Sequence, residues 1–194
     1  MVPGSTIAYL PETAEHDPEI ELINEEAFGP GRFARAASKI REGGPHDRAL
    51  SFVAASAGTV IGSVRLTPIA AGRGRGHMLG PLAVRPAFKN AGIGRTLVAL
   101  GLDAARKAGS PLVMLVGDAP YYGPLGFARM PRNQVQMPRP VDPDRLLVCE
   151  FTPGAAAQLT GDLDHVDQIV RSPKPFQAFT DEAETGVERL RAAG

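Results

Sequence analysis

Hydrophobic and polar positions repeat with two different periods along the chain. Helices are predicted at residues 16–28, 32–41 and 93–108, the first and last from apolar residues spaced near 3.6. Alternating or continuous apolar runs predict strands at residues 5–10, 50–56, 59–67, 77–84, 111–116 and 146–151. The order of these elements predicts a mixed α/β domain with a single helical crossover between two strands.

Glycine and proline positions refine this arrangement. Ala57 and Gly58 form a two-residue gap between strands, which suits a tight hairpin. The glycine-rich residues 70–76 are expected to form a flexible loop. Pro81 cannot donate to a strand ladder, so the strand that contains it is expected to bulge there. Gly109 stands where a left-handed cap would end the crossover helix.

The strand at residues 111–116 is apolar on both faces. It is therefore expected in the centre of the sheet, parallel to the strand that precedes the crossover helix.

The pattern weakens towards the end of the chain. Residues 130–143 are proline-rich and predict an irregular passage or an edge strand. One further helix is predicted at residues 180–193. We expect a main domain over residues 1–152 and a C-terminal extension over residues 153–194, packed on the same domain. The extension is interpreted as a cover for a substrate cleft or as a homodimer contact.

Composition and charge exclude several classes of protein. Apolar residues make up 43% and charged residues 22%, which is typical of a globular domain. The 21 Lys and Arg residues balance 21 Asp and Glu residues, which argues against a nucleic-acid-coating protein. The single cysteine, Cys149, and the absence of an apolar leader or membrane-length run predict a cytoplasmic protein that does not enter a membrane. The four histidines show no metal-ligand spacing, so no metal is expected.

The segment at residues 85–96 carries the clearest chemical signal. It joins a strand to a helix, and Gly92 and Gly94 bracket the start of that helix. Glycines allow close approach of a ligand to the backbone, and the first helical N–H groups lie at the positive end of the helix dipole. Lys89 and Arg95 add positive charge on either side. These features predict an anion-binding turn.

Two phosphate-binding motifs compete for this segment. A Walker-type loop fails because no Gly-Lys-Ser/Thr follows the first glycine. A dinucleotide-binding fingerprint gains support from Asp118, which follows the next strand. It is disfavoured because Leu97 takes the third glycine position and seven residues separate the strand from Gly92.

A longer pattern is more specific. Leu82 to Pro86, followed by Lys89-x-x-Gly92-Ile-Gly94-Arg and an apolar helix, resembles the acetyl-CoA-binding motif of the GNAT superfamily of N-acetyltransferases. The usual form of that motif is Arg/Gln-x-x-Gly-x-Gly/Ala, and Lys89 departs from it while keeping a cationic donor. Tyr122 to Phe127 matches the Tyr-x-x-x-Gly-Phe element of the family. The resemblance covers about three quarters of the chain.

The resemblance implies both a fold and a cofactor site. The fold is a mostly antiparallel central sheet, splayed at a bulge in the fourth strand, with helices on both faces. Acetyl-CoA would place its pantetheine arm against that strand and its pyrophosphate on the turn. The implied binding residues are Leu82, Ala83, Val84, Lys89, Asn90, Ala91, Gly92, Ile93, Gly94, Arg95 and Thr96.

The resemblance also implies a reaction, in which an amine attacks the thioester of acetyl-CoA directly. The backbone N–H of Leu82 would face the thioester oxygen, and Tyr122 would protonate the departing thiolate. Cys149 lies in an apolar strand and is interpreted as a core residue. The acceptor is a small-molecule or peptide amine. A non-catalytic acyl-CoA-binding module is the alternative.

The residue that takes the proton from the amine is left open. His77, Glu25 and Glu26 are candidates, and a water relay would serve equally well. Asp118 is interpreted as the cap of the short helix that contains Tyr122.

Overall fold

A sheet of nine strands organises residues 6–31 and 36–171, the residues that the computed structural model describes. The strands are β1 Ile7–Pro11, β2 Asp47–Ser56, β3 Thr59–Gly72, β4 Gly74–Val84, β5 Leu112–Val116, β6 Ala128–Arg129, β7 Val135–Gln136, β8 Leu146–Glu150 and β9 Leu159–His165. The α-helices are α1 Asp17–Phe28, α2 Ala36–Arg41, α3 Ile93–Lys107, α4 Ala119–Tyr122, α5 Ala155–Gln158 and α6 Val166–Arg171. None of the helices in this part of the chain is long and apolar enough to span a bilayer.

The strand order confirms the predicted fold class. The main path runs β1-β2-β3-β4-β5-β8-β6, and its neighbours are antiparallel except for the parallel pair β4–β5. Helix α3 makes the crossover between these two strands, as the sequence predicted. Strand β9 pairs with the last residues of β3, from Ile69 onwards, where β2 no longer runs beside it.

Helices cover both faces of the sheet. Val53 and Ala54 are consecutive in β2, so their side chains point to opposite faces. Ala54 packs in the cluster that contains Leu97 of α3, whereas Val53 packs in the cluster that contains Ile20 and Ile23 of α1. The α3 face and the α1 face of the sheet are therefore separate surfaces.

Strand β4 separates from β5 halfway along its length. The two strands pair only at His77 and Met78. On the other side, Val64 of β3 pairs with Leu82 while Leu66 pairs with Leu79, so Arg65 lies opposite both Gly80 and Pro81. The predicted bulge at this position is confirmed.

The prediction of a flexible loop at residues 70–76 is wrong. Strands β3 and β4 continue through it and turn at Arg73. Gly74 and Gly76 are buried because other chain segments pack directly on them. A Cβ on Gly74 would lie 2.5 Å from the Leu159 nitrogen, and one on Gly76 would lie 2.5 Å from Leu112 Cδ1. These glycines serve close packing rather than flexibility.

Two predicted turns are confirmed. Ala57 and Gly58 have φ angles of 49° and 78°, and they close the hairpin between β2 and β3. Gly109 has a φ of 79° directly after α3, which is the left-handed conformation expected of a C-terminal cap.

The end of the chain carries strand β9 within residues 153–171, which the sequence analysis did not predict. Its sequence, LTGDLDH, is mostly polar because only Leu159, Leu163 and His165 are buried, and so it lacks the apolar pattern that identifies a strand. The helix predicted at residues 180–193 lies outside the described residues, as do residues 32–35 of the second predicted helix. The domain boundary at residue 152 stays a prediction.

The packing of Gly74 leads to a stability prediction. Gly74→Ala should lower the free energy of unfolding by about 1–3 kcal/mol, because the new methyl group meets backbone atoms of Leu159 rather than a movable side chain. Gly123→Ala is the matched control, since no described atom lies within 4 Å of its Cβ position. Chemical denaturation measures both. Equal stabilities of the two variants would contradict the assignment of Gly74 to a packed strand.

Candidate active site

The separation of β4 from β5 opens a cleft of about 540 Å³, called here the main cleft. Its walls combine the diverging strand ends with α4, the end of α1 and the segment before β8. The lining residues are Phe28, Ala36, Ala37, Arg41, Leu79, Gly80, Pro81, Leu82, Val116, Gly117, Asp118, Tyr122, Pro140, Val141, Asp142 and Arg145. Two residues predicted for catalysis, Leu82 and Tyr122, are thus brought into one cavity.

The main chain of β4 presents alternate groups to the two sides of the strand. The N–H of Arg85 donates to the Ile61 carbonyl of β3 at 2.8 Å. Because N–H groups alternate along a strand, those of Leu82 and Val84 point away from β3, to the side from which β5 has diverged. The N–H of Ala83 points towards β3, and the Ala83 side chain packs against α1.

The turn between β4 and α3 is exposed and tightly wound. A short 3₁₀ helix, Pro86–Phe88, leads to Asn90 and Gly92, which have φ angles of 64° and 80°. Lys89 and Ala91 are exposed on this turn. The left-handed conformation at Gly92 starts α3 and turns its first N–H groups outward. The turn can therefore bind an anion with main-chain groups.

The side chains at the start of α3 differ in their exposure. Ile93 is buried in the core, so only its main chain is available. Thr96 donates its hydroxyl to the Gly92 carbonyl at 3.3 Å, which closes the first turn. Arg95 is exposed, and its guanidinium lies 5.7 Å from the centre of the Tyr121 ring.

Gly94 and Tyr121 make a contact that the sequence analysis missed. A Cβ on Gly94 would lie 2.8 Å from the Tyr121 hydroxyl oxygen. The absence of a side chain at Gly94 therefore lets α4 approach the start of α3. This approach links the anion-binding turn to the helix that carries Tyr122.

Tyr122 is positioned by the end of β5 and by two aromatic neighbours. Gly117 has no side chain, so the ring lies over its backbone, where a Cβ would come within 2.3 Å of the ring. Tyr121 and Phe127 meet the ring edge-on, with centroids 4.8 and 5.7 Å away. Burial, reinforced by Tyr121 and the Asp118 carboxylate, raises the pKa of Tyr122 to about 12. The phenol is therefore protonated at neutral pH.

Asp118 caps α4 by position but not with its side chain. Its carbonyl accepts the N–H groups of Tyr121 and Tyr122, whereas its carboxylate makes no cap hydrogen bond. The carboxylate instead lies 3.2 Å from the Arg145 guanidinium. The predicted cap position of Asp118 is therefore confirmed, while its carboxylate forms an ion pair across the rim of the main cleft.

The three candidates for the proton acceptor lie outside the main cleft. His77 contacts the Ser110 hydroxyl at 2.9 Å, at the end where β4 and β5 still pair, and burial lowers its pKa. Glu26 pairs with Arg85 at 2.6 Å, and Glu25 is exposed on α1. Cys149 is buried in β8, and this burial raises the pKa of its thiol.

A second cavity of about 310 Å³, called here the side cleft, lies on the α1 face of the sheet. It meets the main cleft at Phe28, Arg41 and Pro81, which line both. Its other lining residues are Glu21, Asn24, Ser38, Gly44, Pro45, His46 and Arg65. Most of these side chains are polar, unlike the core that surrounds them.

A buried carboxylate organises the wall of the side cleft. The Glu12 side chain has no solvent-exposed surface and accepts hydrogen bonds from Arg65 at 2.9 and 3.0 Å and from Arg48 at 2.7 Å. His46 Nε2 lies 2.8 Å from the same carboxylate. Burial alone would raise the pKa of Glu12, but the bonds from His46 and Arg65 outweigh it and lower the pKa. The carboxylate is therefore ionised.

The sequence analysis missed this cluster, although Arg65 offered a signal. A strand that is buried on both faces carries an arginine only where a carboxylate can neutralise it. The partner, Glu12, directly follows β1, and no sequence pattern links it to Arg65. Among the described residues no group of three or more His, Cys, Asp or Glu side chains is arranged to hold a metal.

Comparison with known proteins identifies the family. The model of the Acetyltransferase (GNAT) family matches residues 15–127. The Uncharacterized N-acetyltransferase YjhQ of Escherichia coli (strain K12) is 31% identical over 114 residues, which cover 56% of this chain and 62% of YjhQ. The matched region thus spans less than two thirds of that relative.

Solved structures share the fold. The GNAT family N-acetyltransferase YhbS from Escherichia coli, in complex with CoA, superposes with a TM-score of 0.70 at 24% identity, over 88% of this chain and 96% of that chain. A GNAT family acetyltransferase from Brucella melitensis, in complex with acetyl-CoA, gives 0.58 at 27% identity, over 76% and 90%. The family match covers more than half of the 194 residues and includes β4, the anion-binding turn, α3 and Tyr122. The chain belongs to the GNAT family of acetyltransferases.

Proposed function

We propose that this protein transfers an acetyl group from acetyl-CoA to an amine by direct attack of the amine on the thioester. The observation that carries the proposal is the separation of β4 from β5. It leaves the N–H groups of Leu82 and Val84 without a neighbouring strand, and Leu82 lines the main cleft. The relatives whose structures hold CoA or acetyl-CoA supply the chemical identity of the ligand.

The cofactor would lie along β4 and end at α3. Main-chain groups of residues 82–84 would pair with the pantetheine amides in place of the missing strand. The pyrophosphate would lie on the main chain of residues 89–96, where Gly92 opens the start of the helix and the dipole favours negative charge. Lys89 and Arg95 are exposed on this turn and would add charge.

The reaction forms a carbon–nitrogen bond and breaks the carbon–sulfur bond. Attack of the amine places negative charge on the thioester oxygen, and the N–H of Leu82 would stabilise it. Tyr122 would then give its proton to the departing thiolate. In the tetrahedral adduct the attacking nitrogen is positive, which lowers the pKa of a neighbouring phenol and favours that transfer.

Among the described residues that line the main cleft there is no cysteine that could form an acyl-enzyme. The chain has one cysteine, and Cys149 is buried in β8 rather than lining the cleft. Burial raises the pKa of its thiol, which disfavours the reactive thiolate. Direct transfer is therefore the simpler chemistry.

We propose a small-molecule or peptide amine as the acceptor, entering by the side cleft, which meets the main cleft at Pro81. The protein would act in the cytoplasm, where a single unpaired cysteine stays reduced. The segment after residue 152 would belong to the same domain, since β9 pairs with β3.

Acetyl-CoA binding tests the cofactor site. Gly94→Val should weaken binding about tenfold or more, equivalent to ~1.4 kcal/mol, because the added side chain occupies the start of α3 and displaces Tyr121. Ala99→Val is the matched control, since it places the same residue on an exposed position of α3. Isothermal titration calorimetry measures both.

The same titration with NADH addresses the dinucleotide-binding alternative. The proposal expects acetyl-CoA to bind and NADH not to bind. No acetyl-CoA binding by the folded wild-type protein would contradict the proposed function.

Tyr122→Phe tests the proton donor. It should lower kcat about 10²-fold, because the thiolate would leave without a proton, while the Kd for acetyl-CoA stays close to that of the wild type. Tyr9→Phe, in β1 and away from both clefts, is the control. Release of free thiol is followed with a panel of amino acids, polyamines and peptides.

Two outcomes of that experiment would change the conclusion. An unchanged kcat in Tyr122→Phe would remove Tyr122 from the mechanism. Binding of acetyl-CoA without transfer to any amine in the panel would favour the non-catalytic acyl-CoA-binding module.

A further inference from the structure

The proposed reaction needs a group that takes a proton from the acceptor amine, and the carboxylates among the described residues of the main cleft already have partners. An amine that attacks a thioester gains a positive charge, and the product amide forms only after a proton leaves. Among the described residues that line the main cleft, Asp118 and Asp142 are the carboxylates. Asp118 is paired with Arg145, and the Asp142 carboxylate accepts a hydrogen bond from the Asp144 N–H at 3.0 Å.

The side cleft contains one imidazole, that of His46. Its Nε2 lies 2.8 Å from Glu12 Oε1, and its side chain is mostly buried. The structure gives no hydrogen-bond partner to Nδ1 within residues 6–31 and 36–171. Among the described residues, Nε2 is thus held by Glu12, Nδ1 has no partner, and the residue lines the side cleft.

Glu12 determines which nitrogen carries the hydrogen. An ionised carboxylate can only accept hydrogen bonds, so Nε2 must be the N–H donor in the neutral imidazole. Nδ1 then carries the lone pair. A carboxylate that orients a histidine in this way also stabilises the imidazolium that forms when the ring accepts a proton.

The position of this pair is tied to the bulge in β4. Arg65, which holds Glu12, lies opposite Gly80 and Pro81 in the sheet register. His46 and Pro81 line the same side cleft, and Pro81 also lines the main cleft in which the thioester would lie.

The segment that carries His46 is anchored by the C-terminal part of the described chain. His165 Nε2 lies 3.0 Å from the Pro45 carbonyl, and Gln168 donates to the Gly43 carbonyl at 2.6 Å. Gly44 packs on the His165 ring so closely that a Cβ would lie 2.2 Å from it. Strand β9 and helix α6 thereby hold His46 in place.

Asn24 provides an independent sign that the side cleft receives a hydrogen-bond donor. Its side chain lines the cleft and is 4% exposed. Its Oδ1 is buried and has no hydrogen-bond partner among the described residues. An unsatisfied buried acceptor is costly unless a ligand donates to it, and an amine N–H is such a donor.

We propose that His46, oriented by Glu12, is the general base that accepts the proton from the acceptor amine in the side cleft. The proposal rests on the function proposed above. After the carbon–nitrogen bond has formed, one proton of the positively charged amine nitrogen passes to Nδ1 of His46. The imidazolium then keeps its Nε2–H bond to Glu12 and returns the added proton to water after the product leaves.

Charged groups surround the imidazole from every element packed around it. The carboxylates form ion pairs with guanidinium groups, so their negative charges are largely neutralised. Glu12 therefore acts on His46 as a hydrogen-bond partner rather than as part of an acidic patch. The groups concerned are Glu12 after β1, Asp17 and Glu21 on α1, Arg41 on α2, Arg48 on β2 and Arg65 on β3.

His46→Gln separates a catalytic role from a structural one. Glutamine keeps a donor towards Glu12 but cannot take up a proton at neutral pH, so kcat at saturating amine should fall about 10²-fold or more. The decline of kcat towards acid pH should flatten in the variant, and the Kd for acetyl-CoA should not change. His16→Gln, outside both clefts, is the matched control. The amine is the fastest substrate of the panel used for Tyr122.

A second measurement does not depend on turnover. Long-range ¹H–¹⁵N NMR of the histidine rings, with His46 assigned by comparison with His46→Gln, reports the tautomer. The proposal predicts hydrogen on Nε2 and none on Nδ1 in the neutral ring. Hydrogen on Nδ1 would overturn it, because that nitrogen would have no lone pair to offer.

The outcomes distinguish this inference from the function on which it rests. If the wild type transfers acetyl and His46→Gln has the same kcat and pH profile, only the role of His46 is overturned. If the wild type transfers no acetyl group to any amine, the proposed function is overturned and the inference with it. A large loss in kcat with an unchanged Kd for acetyl-CoA supports both.

Discussion

The separation of β4 from β5 after Met78 is the constraint on which the rest of the site depends. Hydrogen-bonding groups on a buried strand edge must find partners, and β5 supplies them only at His77 and Met78. Beyond the bulge opposite Arg65, the N–H groups of Leu82 and Val84 have no neighbouring strand, and Leu82 lines the main cleft. A ligand with amide groups of its own can complete the sheet there.

This opening joins two faces of the sheet that have different electrostatics. On the α3 face, exposed main-chain N–H groups and a helix dipole favour an anion at Gly92. On the α1 face, the charges are side chains buried in pairs around Glu12 and Arg65. The zero net charge of the chain therefore conceals two different polar surfaces, one of exposed main-chain N–H groups and one of buried ion pairs.

The sequence was sufficient for features that depend on local chemistry. The bulge was predictable because Pro81 has no N–H to donate. The helix cap at Gly109 and the hairpin at Ala57 and Gly58 were predictable because glycine readily adopts the positive φ that these turns need. Features that depend on distant packing were missed. Gly74 and Gly76 suggested a loop because no local sequence pattern indicates that Leu159 and Leu112 pack against them. Likewise, Glu12 and His46 are 34 residues apart and meet only in the folded chain.

The most direct test of the central claim is a titration of the ¹⁵N-labelled protein with acetyl-CoA, followed by amide ¹H–¹⁵N correlation spectra. The account predicts saturable shifts of the Leu82 and Val84 amides, together with those of Gly92 and Gly94, because one ligand would contact both the open edge of β4 and the start of α3. The amide chemical shifts of β1 and of the first residues of β2 should not change. Shifts confined to other regions, with Leu82 and Val84 unaffected at saturation, would show that the opening between β4 and β5 is not where the cofactor binds.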